Sequence, residues 1–103
     1  MRVTIIKDDN VVYVDGLALH VDCSPLPAEF HALQWYDTHG EIEFKTIDGQ
    51  RAPNAAISDL APYRSFVDGW NLEKAKVDAA EAAARAAAPP IKTTAKGAVN
   101  VIA

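Results

Sequence analysis

Nine of the fourteen residues from Ala75 to Ala88 are alanine, and Pro89-Pro90 follows them directly. Alanine has the highest helix propensity because it gives up no side-chain freedom, whereas proline lacks the amide hydrogen a helix needs. The run is therefore predicted to be helical and to stop at the proline pair. Glu81 lies four residues before Arg85, the favourable orientation for a helical ion pair. Upstream, Tyr63, Phe66, Val67, Trp70, Lys74 and Val77 recur at three-four spacing, which gives the first four turns an apolar stripe. Ser58 is a candidate cap and Pro62 suits a first helical position. From Pro62 to Ala88 such a helix measures about 40 Å, longer than a small sheet can cover, so its second half is expected to project. The alanine surface reads either as a semi-rigid spacer or as a small-residue face, with Ala84 as a candidate contact, along which another helix approaches.

The chain before residue 58 has a different period. Val3 and Ile5 open a strand that stops at Lys7-Asp8-Asp9-Asn10, and Val11–Val14 resumes it. Asp15-Gly16 tolerates the positive φ of a tight hairpin, after which Leu17, Leu19 and Val21 share one face of a third strand. Two prolines make residues 22–27 a crossing loop, and residues 28–30 are expected to add a helical turn. His31–Tyr36 then alternates with Leu33 and Trp35 inward, and Glu41–Lys45 alternates with Ile42 and Phe44 inward. Asp48-Gly49 closes this hairpin, and Pro53-Asn54 begins a loop. The expected fold class is α+β: an antiparallel meander of about five strands over residues 1–57, a long helix over 58–88 covering its apolar face, and an extended tail peptide over 89–103.

The 103 residues make a single domain, but much of the 50% hydrophobic content is alanine, so the effective core is small and leaves room for a partner to complete it. Residues 1–57 carry four basic and nine acidic side chains, and residues 58–103 carry six and five. An acidic sheet with scattered cations repels phosphate backbones, which argues against nucleic-acid binding. No stretch approaches the run of about 20 apolar residues that a membrane span requires. The first five residues alternate like a strand instead of resembling a signal core, and the single cysteine, Cys23, has no internal disulfide partner; synthesis and folding in the cytosol are expected.

No catalytic constellation emerges, and the chain is read as non-enzymatic, without cofactor or metal. His20, His31 and His39 lie on different elements without metal-ligand spacing. Asp8-Asp9-Asn10 and Asp15-Gly16 lack the remaining ligands of a calcium loop and are read as turns. Cys23 has no basic neighbour in sequence, and Glu41 and Glu43 fit a solvated strand face. The residues assigned to partner binding are Tyr36, on the face opposite Trp35, Ala84 on the alanine helix, and Val99, Val101 and Ile102, apolar residues beyond the proline pair that suit an added strand. Lys92 and Lys96 favour an acidic acceptor, such as a second copy of the chain.

Val3-Thr4-Ile5-Ile6-Lys7-Asp8-Asp9, then Val12-Tyr13-Val14-Asp15-Gly16, and His31-Ala32-Leu33-Gln34-Trp35 followed by Gly40-Glu41-Ile42-Glu43-Phe44, resemble small proteins of tailed bacteriophages and prophages encoded beside tail-fibre and baseplate genes. The resemblance runs to about residue 72, including Trp70 after Pro62-Tyr63; residues 75–103 lie outside it. It implies a tail-associated role, not an activity, and transfers no binding residues. A virion structural protein is the expectation, made in the host bacterial cytoplasm, located in the tail and bound to a tail-fibre or baseplate protein. The alternatives are a tail-fibre assembly factor that leaves before the particle is complete, and a small acidic inhibitor of a host nucleic-acid-binding protein.

Overall fold

A computed structural model of the chain describes residues 1–87. The fold is α+β: a fully antiparallel six-stranded sheet and one C-terminal helix. The strands are β1 (Arg2–Ile6), β2 (Val11–Val14), β3 (Leu17–His20), β4 (Phe30–Tyr36), β5 (Gly40–Phe44) and β6 (Ala55–Ile57). Their order across the sheet is β3-β2-β1-β4-β5-β6. A 3-10 turn, Ala61–Tyr63, leads into α1 (Arg64–Ala87).

Turn chemistry fixes the hairpins. Asp15 and Gly16 have φ of 49° and 89°, and Asp48 and Gly49 have 53° and 77°, the left-handed pairs that match the twist of a two-residue loop. Asn10, also left-handed at φ 48°, ties the β1–β2 turn to the start of the crossing loop: its carbonyl accepts from Val21 N at 3.0 Å and its Oδ1 from Cys23 N at 2.8 Å. The loop then carries the chain from the β3 edge to β4, beside β1, and contributes Val21, Cys23 and Leu26 to the core. Gly40 is demanded by a close approach, since a Cβ there would lie 2.3 Å from Gln34 O and 3.1 Å from the Trp35 ring.

One face of the sheet holds the core. Val3, Ile5, Val12 and Leu33 are fully buried, with Trp35 and Ile42 beside them and Phe66, Val67 and Trp70 above them from α1. The helix rests on β2 and β3, where Trp70 Nε1 donates to Leu17 O at 2.9 Å. Burying large aromatic surface while satisfying the indole N–H is what fastens the helix.

Several expectations need correction. The sheet gains a sixth strand where a loop is expected to follow Pro53-Asn54: Ala55–Ile57 pairs with Gly40–Ile42 and packs Ala55 and Ile57 against the core. Residues 28–29 form a turn and Phe30 already belongs to β4; no helical turn forms there. A register shift between Phe30 and Ala32 lets Phe30 face inward opposite Phe44. Asp59, not Ser58, receives the backbone at the helix entrance, its Oδ1 accepting from Ala61 N at 2.9 Å. Leu17 keeps the inward phase expected of it but remains 44% exposed, because β3 is an edge strand.

Candidate interaction surface

Beyond Trp70, α1 leaves the sheet. Phe66, Val67 and Trp70 are its buried residues, and every residue from Ala75 to Ala87 is exposed, Ala84 among them. At 1.5 Å per residue, the stretch from Trp70 to Ala87 is about 25 Å long. Its ion pairs are internal: Lys74 Nζ reaches Asp78 at 2.6 Å and Lys76 Nζ reaches Glu73 at 2.9 Å. The expected Glu81–Arg85 pair is absent among the described residues. Alanine propensity and these local pairs hold the helix where no core contact does.

The sheet face away from the helix carries a second surface. Side chains out of phase with Val3, Ile5, Val12 and Leu33 point there, and the pairings place Tyr13 opposite Thr4 and Thr4 opposite Gln34 in one row. Together with Arg2, Ile6 and Gly16 they line a groove of about 400 Å³. Thr4 Oγ1 donates to Gln34 Oε1 at 2.8 Å, so the floor is partly self-satisfied. Apart from the Arg2 guanidinium, the lining is neutral, polar and apolar.

Tyr36 lies at one corner of this face, 39% exposed. Its ring centroid sits 4.9 Å beneath the Arg2 guanidinium and 5.7 Å from the tilted His39 ring, a cation-π and aromatic contact cluster at the corner. Val99, Val101 and Ile102 lie outside the described residues. The structure thus brings Tyr36 beside Arg2 of the groove and places Ala84 well apart from both, on the projecting helix.

No protein-family model matches the chain, and no curated protein or solved structure is significantly similar to it. Its chemistry is therefore read from its own groups. Among the described residues, no three His, Cys, Asp or Glu side chains converge to hold a metal ion. Cys23 is fully buried and its Sγ donates to Val21 O at 3.2 Å; burial pushes the thiol pKa up, against thiolate formation. Thr38 Oγ1 lies 3.3 Å from His39 Nδ1, but the two are sequence neighbours in the exposed β4–β5 turn, and the contact orders that turn. No helix among the described residues is long and apolar enough to cross a membrane.

The groove was missed in the sequence. Its signal was present as the second phase of alternation, Thr4 and Ile6 on β1, Tyr13 on β2 and Gln34 on β4, but sequence order does not reveal that β1 lies between β2 and β4.

Proposed function

We propose that this chain is a non-enzymatic protein-binding component of a bacteriophage tail, a structural or accessory protein of the baseplate or tail-fibre region. The observation that carries the reading is the exposed second half of α1. A helix of this length without tertiary contact is marginal by itself and is ordinarily stabilised by packing against something else. Here that something is another protein of the tail, and the resemblance of residues 1 to about 72 to small tail-associated phage proteins supports the setting. The groove and the Tyr36 corner give the sheet a further contact face, and the acidic sheet favours protein over nucleic acid as the partner.

The test is mass spectrometry of purified particles alongside fibre complexes isolated from the same lysed host. Stoichiometric presence in washed particles is the expected result. Presence on unassembled fibres with absence from particles would replace the structural role with that of an assembly factor. Absence from both would overturn the tail assignment.

A further inference from the structure

The two edges of the sheet are not equally protected. Strand β6 is three residues long and follows Pro53, and the hydrogen-bond chain Arg51–Asn54–Glu41 sits at its start. Short strands, prolines and charges are the usual devices that keep an edge from recruiting another strand. Strand β3, Leu17-Ala18-Leu19-His20, has no proline, lysine or glutamate.

Its free backbone groups follow from the register. Leu17 and Leu19 pair with Val14 and Val12, and Val21 N donates to Asn10 O, so alternate residues bond inward to β2. Ala18 and His20 therefore turn their N–H and C=O groups outward, and both residues are exposed. Beside them Leu17 remains 44% exposed on the core face. Asp15 and Asp22, both exposed, bracket the strand, so the edge is apolar in its centre and acidic at each end.

We propose that β3 accepts residues 98–102 of a second copy of this chain as an added seventh strand. The charge complementarity is direct: Ala98-Val99-Asn100-Val101-Ile102 carries no charge, and Lys96 precedes it to meet an acidic corner in either strand direction. The alternation matches as well. Val99 and Val101 extend the apolar row of Leu17 and Leu19, while Asn100 falls on the face of Ala18 and His20. Two alternate apolar anchors and main-chain bonds are the recurring recipe of strand addition.

The path of the chain favours a second copy over the same chain. Trp70 is bonded to Leu17 of β3, and α1 then runs about 25 Å onward to Ala87. Residues 88–97 span at most about 36 Å when fully extended, so reaching the chain's own edge takes about 25 Å of that length in an immediate reversal through Pro89-Pro90. A neighbouring edge ahead of the helix needs no reversal. The inference concerns self-association and stands whether or not the tail assignment holds.

The experiment is sedimentation equilibrium of the full chain over a wide concentration range, with amide exchange at Ala18 and His20 followed by NMR. Concentration-dependent association is expected, with both amides protected at high concentration and exposed on dilution. Ala18→Pro removes an outward N–H that β2 does not use and should weaken association by roughly tenfold. Asp22→Lys should weaken it a few-fold, and a peptide of residues 91–103 added in excess should return the full chain to monomer. If Ala18→Pro does not fold by circular dichroism, Asp22→Lys and the parent's amide exchange decide alone. A monomer with unprotected Ala18 and His20 amides at every concentration overturns the proposal. Protection that is independent of concentration overturns it in favour of the chain's own tail, and association unaffected by either substitution overturns it in favour of another surface.

Discussion

The two halves of α1 are the same helix held by different forces. From Arg64 to Trp70 the helix is held by burial: Phe66, Val67 and Trp70 join the sheet core, and the segment tolerates Gly69, a poor helix former whose missing Cβ lets Val21 approach. From Ala75 to Ala87 nothing is buried, and the sequence compensates with residues that favour helix on their own. Where tertiary contact is available, propensity is dispensable; where it is absent, propensity is concentrated.

The largest expected effect lies in the first half. Trp70→Ala removes a buried aromatic and its hydrogen bond to Leu17 O, and a loss of about 3–5 kcal/mol is expected in urea unfolding. That is a large share of a small domain's stability. A variant that unfolds at the parent's urea midpoint would break the comparison, because α1 would then not be fastened through this residue.

Hydrogen exchange sharpens the same contrast without mutation. Amides from Phe66 to Trp70 should exchange with the free energy of global unfolding, and those from Ala79 to Ala87 by local fraying orders of magnitude faster. The measurement belongs at concentrations where the chain is monomeric. Uniform protection along α1 in a monomer would contradict the division.

These halves were legible before the structure because both signals are local, a three-four stripe for one and composition for the other, although the stripe expected to run to Val77 ends at Trp70 and leaves Val77 exposed. The Glu41–Lys45 alternation and the two Asp-Gly turns were legible for the same reason, each being decided by a few consecutive residues. What escaped was decided across the sheet. Ala55-Ala56-Ile57 has little strand signal of its own and becomes β6 because β5 offers an open edge. The inward turn of Phe30 depends on the irregularity opposite Phe44, and the burial of Cys23 and Leu26 on a loop that passes β2 and β1 to reach β4. The groove of Arg2, Thr4, Tyr13 and Gln34 required knowing that β1 sits between β2 and β4. Of the assigned contact residues, Tyr36 and Ala84 are exposed, but their partners are not encoded in this chain's own contacts.

A smaller effect is expected in the second half. Ala84→Gly costs about 1 kcal/mol of local helix propensity, but an unpacked segment frays without unfolding the domain. Circular dichroism at 222 nm should fall slightly while the urea midpoint stays in place. A shift of the midpoint in a monomer would mean that Ala84 packs on its own domain.

The smallest effect comes from two exposed ion pairs of different reach. Lys45 Nζ donates to Asp8 Oδ1 at 2.7 Å across 37 residues of sequence, whereas Lys74 and Asp78 pair within one turn of α1. The Lys45 hydrogen bond, partly opposed by desolvation, holds the Asp8 carboxyl below its usual 3.8. A carboxyl whose folded pKa lies below its unfolded pKa stabilises the fold at pH values above the unfolded pKa, and the contribution disappears as pH falls through the lowered folded value. Asp8→Asn should therefore lower Tm slightly at neutral pH, with the difference from the parent vanishing in strong acid. Both groups are solvated, so the shift is small and salt-sensitive. Asp78→Asn breaks a pair that melts with the projecting half before the domain unfolds, and its Tm should match the parent's at every pH. Equal sensitivity of Tm to the two substitutions would show that the helix end unfolds together with the sheet, and the distinction between the two halves of α1 would not survive it.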